Sequence, residues 1–151
     1  MKAHWLERGG EISGETLTKD GIHHERIETD PALYRKPVDR VKADRGYIEE
    51  DIIELRPETP NLDAICAKFM DEHFHDDDEV RFVLEGEGIF DIRSKDGDEW
   101  MRVKVEKGDL IVVPKDRHHR FLLTESRAIR CVRLFKDTSG WVPHYRADNR
   151  G

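Results

Sequence analysis

Two histidines and a glutamate in one short run are the side chains best suited to hold a metal ion. His73, His75 and Glu79 follow one another closely, with Asp76–Asp78 before the glutamate. On a β-strand His73 and His75 point to the same face about 7 Å apart, so both imidazoles can reach one ion. On a helix they would point in nearly opposite directions, so the pair predicts extended backbone.

Glu79 can join these histidines only if the chain bends before it. In a straight strand Glu79 would lie about 13 Å beyond His75, too far to share an ion. The intervening aspartates permit a bend, because Asp is unfavourable in strand interiors and favourable in turns. Beyond the bend we expect alternate residues to share a face, with Glu79, Arg81 and Val83 on one side and Val80, Phe82 and Leu84 on the other.

A fourth ligand is available further along the chain. Leu110–Val113 is a candidate strand, Pro114 begins a turn, and His118 and His119 open the next candidate strand. A histidine there can face back across a barrel, but alternation leaves open which of the two does so. Three imidazoles and one carboxylate suit Fe(II), Ni(II), Mn(II), Co(II) or Zn(II), and an octahedral ion would keep two neighbouring positions for substrate oxygens or dioxygen. The alternative is a group of surface residues beside an acidic loop.

The segments around these residues predict a mainly β fold. Short segments with alternating apolar residues recur at regular spacing, which is typical of an antiparallel sandwich or barrel. Residues 85–88, Glu-Gly-Glu-Gly, are predicted to form a turn that returns the chain, so that Ile89–Arg93 pairs with Val80–Leu84. The remaining candidate strands are Trp100–Val105, Leu110–Val113, Arg120–Leu123 and Ala128–Phe135.

A few helices are expected on the outside of the sheet. The predicted helices are Val38–Arg45, ended by Gly46, and Leu62–Glu72, capped by Asn61. Pro31 and Pro37 are predicted to bracket a turn. Residues 1–30 are polar and contain several glycines, so short strands and frayed ends are both compatible with them.

Composition favours one soluble domain. The chain has 151 residues and a net charge of −7, so we expect a single domain over residues 1–151, in which residues 1–30 are divergent or partly ordered. The acidic balance argues against nucleic acid and anionic membranes as partners. No secretory signal or membrane-spanning segment is evident, so a cytoplasmic location is expected. Cys66 and Cys131 lie in apolar stretches and are expected to be reduced, buried thiols.

The two ligand-bearing segments resemble the two motifs of the cupin superfamily. The first reads His-x-His-x3-Glu-x6-Gly over residues 73–86, and the second reads Gly-x5-Pro-x4-His from Gly108 to His119. In this register His119 is the fourth ligand, while Asp116 and Ala67 stand where the motifs usually carry glycine. Asp tolerates left-handed backbone better than most residues, so the turn at Asp116 can still form. The resemblance implies a cupin jelly-roll β-barrel with a few peripheral helices.

Among cupins, the sequence is most similar to the acireductone dioxygenase family. The resembling runs keep their order and spacing over most of residues 47–148, whereas about the first 25 residues look truncated or divergent. They are Glu72–Arg81, Phe82–Arg93, Trp100–Gly108, His119–Phe121, Arg133–Phe135 and Trp141–Asp148.

The resemblance implies a dioxygenase of methionine salvage. It would cleave acireductone (1,2-dihydroxy-3-keto-5-methylthiopentene) with O2. Fe(II) would give formate and 4-methylthio-2-oxobutanoate, and Ni(II) would give methylthiopropionate, formate and carbon monoxide. The family implies one Fe(II) or Ni(II) per chain, no organic cofactor, and a monomer whose partners are the small-molecule substrate and O2. Two alternatives are a cupin dioxygenase or isomerase with the same metal site acting on a different enol or keto substrate, and a non-catalytic cupin that binds a small molecule.

The resemblance also implies roles for charged side chains near the metal. Arg81 fits the family's substrate-binding arginine with a catalytic role, and the alternative is a surface arginine paired with Asp76–Asp78. Arg133 fits a further substrate-binding arginine, although a purely structural role is open. His118 is a candidate catalytic base.

Aromatic residues complete the expected site. Phe69, Phe121 and Trp141 fall where the family has aromatic residues that line the substrate pocket. Simple core packing would also explain Phe69 and Phe121, because buried aromatic side chains are common in any core.

Overall fold

The computed structural model describes residues 1–70, 73–74, 78–97, 99–135 and 144–145, with the backbone alone at 69–70, 73–74 and 144–145. In this part of the chain the strands are β1 (Lys2–Trp5), β2 (His23–Arg26), β3 (Glu49–Leu55), β4 (His73–Phe74), β5 (Glu79–Arg93), β6 (Trp100–Glu106), β7 (Asp109–Val113), β8 (His119–Leu123), β9 (Ile129–Phe135) and β10 (His144–Tyr145). The helices are α1 (Gly14–Lys19), α2 (Pro31–Arg45) and α3 (Leu62–Met70).

The strand pairs are antiparallel, and β5 lies at their centre. Strands β7 and β9 flank its first half, and β6 and β8 flank its second half. Strand β1 extends the sheet beyond β6, while β2 and β3 extend it beyond β7 and β9. On the other side of β8, β4 and then β10 are paired. The sheet curls around an apolar interior, which confirms the predicted mainly β fold.

The predicted turn at residues 85–88 is wrong, because β5 runs through it without reversing. Strand β5 bends at Gly86, where φ is 78°, and its pairing with β9 shifts register between Val83 and Glu85. A bulge of this kind redirects a strand without ending it. The bend takes β5 from its neighbours β7 and β9 to its neighbours β6 and β8.

Gly86 is therefore a position where a side chain should damage the fold. A Cβ atom there would lie 2.2 Å from the carbonyl oxygen of Ala128, on left-handed backbone. We expect Gly86→Ala to lower the free energy of unfolding by about 2–4 kcal/mol in urea denaturation, through backbone strain and this contact.

Gly97→Ala is the matched control for this variant. At Gly97 φ is 80°, and nothing in the described part of the chain lies within 4 Å of an added Cβ. The backbone cost alone, about 1 kcal/mol, should remain. Equal losses in the two variants would contradict the importance of the contact at the bulge.

Buried apolar side chains form two clusters on opposite faces of the curled sheet. The cluster inside the barrel contains Val83, whereas the cluster between the sheet and α2 contains Val80, Phe82 and Leu84. The predicted alternation along this strand is confirmed. Glu79 and Arg81 share the face of Val83, and both are buried.

Helix α2 begins at Pro31, so the predicted turn between Pro31 and Pro37 is wrong. The side chain of Asp30 caps the helix by accepting a hydrogen bond of 2.9 Å from the N–H of Ala32. Pro31 occupies the first turn, where its missing N–H needs no partner, and Pro37 removes one hydrogen bond inside the helix. The predicted end at Gly46 is confirmed, with φ 73° at that residue.

Helix α3 begins at Leu62 as predicted, and residues 71–72 of the predicted helix lie outside the described residues. Asn61 has a positive φ of 59°, unlike the extended backbone of most N-caps. Both cysteines are free; Cys131 is buried as predicted, but Cys66 on α3 is only partly buried. None of the helices described here is long and apolar enough to span a membrane.

The N-terminal segment contributes strands to the sheet. Strand β1 pairs with β6, and β2 pairs with β7. Helix α1 lies between them and is capped by Ser13, whose side chain accepts a hydrogen bond from Thr16. Of the two possibilities open for residues 1–30, the structure therefore has short strands.

Candidate metal centre

Glu79 and His119 meet inside the barrel, each at the first residue of a strand. Glu79 opens β5 and is 3% exposed, and His119 opens β8 and is 2% exposed. Nε2 of His119 lies 2.7 Å from Oε2 of Glu79. Closure of the barrel thus joins two polar side chains that are far apart in the sequence.

The second ring nitrogen of His119 determines which atom is available to a metal. Its Nδ1 lies 3.0 Å from the carbonyl oxygen of Arg117. A carbonyl can only accept a hydrogen bond, so Nδ1 carries a proton and Nε2 is the atom that faces Glu79. An imidazole nitrogen and a carboxylate oxygen in contact are both ligands that borderline divalent ions prefer. The residues present therefore fit a divalent metal.

Strand β4 places the backbone of His73 beside that of His119. The two residues are register partners in the antiparallel pair of β4 and β8. The side chain of His73 and the whole of His75 lie outside the part of the chain that is described. Both remain predicted ligands.

Of the two adjacent histidines, the structure brings His119 to Glu79. His118 precedes β8, is partly buried, and accepts a hydrogen bond of 2.9 Å from the N–H of Arg93 through its carbonyl. In the turn before it, Asp116 has φ 62°, the left-handed backbone expected where the motif usually has glycine. The aspartate thus adopts the backbone that the turn requires.

Arg81 lies beside Glu79 in the interior, which excludes the alternative of a surface arginine. It is 3% exposed, and its Nε lies 3.2 Å from Oε1 of Glu79. Burial disfavours the charged guanidinium, but Glu79 and Cys131 together offset this effect, so the pKa of Arg81 lies above its usual value. Glu79 therefore contacts Arg81 through one oxygen and His119 through the other.

Aromatic rings and a thiol surround the Arg81 guanidinium. Its central carbon lies 5.0 Å from the ring centre of Phe121 and 5.7 Å from that of Phe90. One of its nitrogens lies 3.9 Å from Sγ of Cys131, where burial raises the pKa of the thiol and keeps it protonated. Phe121 belongs to the apolar cluster inside the barrel, and its ring also lines the candidate metal centre beside Arg81. The side chain of Phe69 and the whole of Trp141 lie outside the described residues.

Sequence reasoning missed Phe90, Cys131 and Gly88 as parts of this site. A Cβ atom at Gly88 would lie 2.7 Å from the ring of Phe121, so glycine is what lets that ring lie against β5. The alternation of apolar residues along β5 and β9 can predict that Phe90 and Cys131 face the interior. It cannot predict that they contact Arg81 there.

Arg133 lies opposite Arg81 on the neighbouring strand, and its side chain pairs with a different carboxylate. It is the register partner of Arg81 on β9 and of Asp51 on β3. Its Nε lies 2.8 Å from Oδ1 of Asp51, and a second nitrogen lies 2.5 Å from Oδ2. Its side chain is 24% exposed, so this ion pair is closer to solvent than the pair of Arg81 with Glu79.

The curled antiparallel sheet, with a glutamate and a histidine meeting in its interior, defines the fold as a cupin barrel. A family model described as the ARD/ARD' family matches residues 2–143, and the chain belongs to that family. The match includes the N-terminal segment that looked divergent in sequence. The predicted family and cupin fold are confirmed.

Individual relatives agree with this assignment. The chain is 41% identical to an acireductone dioxygenase of Heterostelium pallidum, over 95% of this chain and 96% of the relative. It is 40% identical to an acireductone dioxygenase of Dictyostelium discoideum, over 95% and 97% of the two chains. A solved acireductone dioxygenase from Bacillus anthracis with a cadmium ion in its active centre superposes with a TM-score of 0.88 at 36% identity, covering 95% of this chain and 97% of that one.

Proposed function

We propose that this protein is a metal-dependent dioxygenase that cleaves acireductone with O2 to formate and 4-methylthio-2-oxobutanoate. The observation that carries the proposal is the buried contact between His119 and Glu79, with Arg81 on the second oxygen of the same carboxylate. The near full-length similarity to acireductone dioxygenases supports it.

His73, His75, Glu79 and His119 would hold one Fe(II) or Ni(II) in each monomer. A bound ion of this kind supplies Lewis-acid chemistry that orients substrate oxygens and stabilises negative charge on them. The cadmium in the Bacillus anthracis protein supports a divalent ion in this family.

Arg81 has the properties needed to bind an anionic enediolate. Its cation stays charged because Glu79 and Cys131 together outweigh the effect of burial on its pKa. Hydrogen bonds from a buried guanidinium to an anionic oxygen are stronger than those in water, because the surrounding interior has a low dielectric constant. Phe121 and Phe90 keep water from that cation, and Asp51 holds Arg133 nearby.

Product analysis tests the proposal. Metal-free protein is loaded anaerobically with Fe(II), mixed with acireductone and then exposed to oxygen. We expect formate and 4-methylthio-2-oxobutanoate, and with Ni(II) we expect methylthiopropionate, formate and carbon monoxide. Oxygen uptake with another enol, but not with acireductone, would overturn the proposed substrate. An absence of formate from folded, metal-loaded protein would overturn the proposed reaction.

A further inference from the structure

Asp78, the residue directly before Glu79, accepts hydrogen bonds from three other residues. One carboxylate oxygen lies 2.7 Å from Nη1 of Arg45. The other accepts a hydrogen bond of 2.8 Å from the backbone N–H of Lys115. The backbone carbonyl of Asp78 accepts a hydrogen bond of 2.5 Å from the hydroxyl of Tyr47.

The three partners of Asp78 lie at the end of α2 and in the turn before His119. Arg45 is the last residue of α2, and Tyr47 follows its C-cap. Tyr47 is 6% exposed and belongs to the apolar cluster between α2 and the sheet, so its hydroxyl projects from a packed ring. Lys115 lies in the turn between β7 and β8 that leads to His119.

Asp78 therefore connects the two segments that carry Glu79 and His119. Its backbone leads directly into Glu79, and its side chain fixes the start of the turn that ends at His119. Glu79 is also the register partner of Val113, at the end of the strand before that turn. A displacement of Asp78 would change the separation of Nε2 of His119 and Oε2 of Glu79, which are 2.7 Å apart.

We propose that Arg45 and Tyr47 are positioning residues that act through Asp78 to set the geometry of the metal ligands. This inference rests on the proposed metal site and extends it to the end of a helix outside the barrel. Groups that hydrogen-bond directly to metal ligands commonly change metal affinity by about 10- to 100-fold when they are removed. Arg45 and Tyr47 act one residue further from the metal, by holding the side chain and the backbone of Asp78.

The test compares two arginines of the same helix. Arg45 pairs with Asp78, whereas Arg35 pairs with Glu50, at 2.7 Å in each case. Metal affinity is measured by titrating Co(II) into the full chain against a chelator, with the visible spectrum of bound Co(II) as a second readout. We expect Arg45→Met to weaken Co(II) binding by about 10-fold, the lower end of that range, and to change the spectrum. Arg35→Met should match the original protein in both measurements.

Two further variants separate positioning from general stability. Arg45→Lys keeps the charge beside Asp78 and should recover part of the affinity. Tyr47→Phe keeps the ring in its cluster, removes only the hydroxyl, and should weaken Co(II) binding less than Arg45→Met does. Urea denaturation of the metal-free proteins should give a loss of stability for Arg35→Met at least as large as that for Arg45→Met, because Arg35 pairs with Asp39 as well as with Glu50.

Unchanged Co(II) binding in both Arg45→Met and Tyr47→Phe would overturn the inference. Equal weakening in Arg45→Met and Arg35→Met would also overturn it, because the effect would then follow stability. If the original chain itself bound no Co(II), the proposed metal site would fail first. The affinity of the unsubstituted protein therefore distinguishes failure of the site from failure of the positioning residues.

Discussion

His119→Ala is expected to lose the metal and the activity, whereas His118→Ala is expected to keep the metal. His119 faces Glu79 through Nε2 and is oriented by the Arg117 carbonyl. Loss of a residue behind a ligand already reduces metal affinity by about 10- to 100-fold, so loss of the ligand itself should reduce it by about 100-fold or more. The hydrogen bond that His118 accepts from Arg93 uses a backbone carbonyl, which alanine retains.

Elemental analysis after dialysis, together with formate release from acireductone, checks this pair of variants. Urea denaturation of the metal-free proteins shows whether each variant is folded. Metal loss in His118→Ala and retention in His119→Ala would show that the second cupin motif has been read in the wrong register. Retention of metal in both would contradict a histidine ligand from this turn.

Arg81→Met is expected to damage both catalysis and stability. Removing a preorganised donor to a developing anion typically lowers the rate by about 10²- to 10³-fold, so we expect a loss of this size in the kcat/KM of protein saturated with metal. In the metal-free protein the substitution also leaves the buried Glu79 carboxylate without the cation that lies 3.2 Å away. Breaking one side of a buried ion pair costs about 3–5 kcal/mol, which urea denaturation would measure.

Two comparison variants separate the effect of Arg81 on catalysis from its effect on stability. Arg81→Lys keeps the charge without the planar fork, so we expect it to recover part of the stability and little of the activity. Arg133→Met breaks a pair closer to solvent and should cost about 1 kcal/mol or less. An Arg81→Met enzyme with unchanged kcat/KM would show that this arginine only balances the charge of Glu79.

The sequence was sufficient for the faces of the strands but not for their connections. The period of two along residues 79–84 identified the inward face because one side of the strand had to be apolar. The glycines at 86 and 88 predicted a reversal, since their turn propensity is a local property. Their actual roles depend on Ala128 and Phe121, which local patterns cannot bring to them.

The residues of the candidate site were likewise predicted only in part from the sequence. Residue type and motif spacing identified Glu79 and His119, and the structure brings them into contact. Nothing in the spacing could pair Arg81 with Cys131, or Asp78 with Arg45, because these contacts exist only after α2 and β9 have packed on β5. The turn predicted at Pro31 is wrong for another reason. Proline is common at the start of helices as well as in turns, and here the side chain of Asp30 caps a helix.

The central position of β5 has a consequence for how the barrel folds. Strand β5 pairs with β6, β7, β8 and β9. Each half of the sheet therefore needs β5, and its apolar side chains are fully buried only when the other half has also formed. Folding of this region is therefore cooperative, with few stable intermediates that retain half a barrel. Because Glu79 and His119 come from opposite halves, the ion-binding geometry arises only when the entire barrel closes.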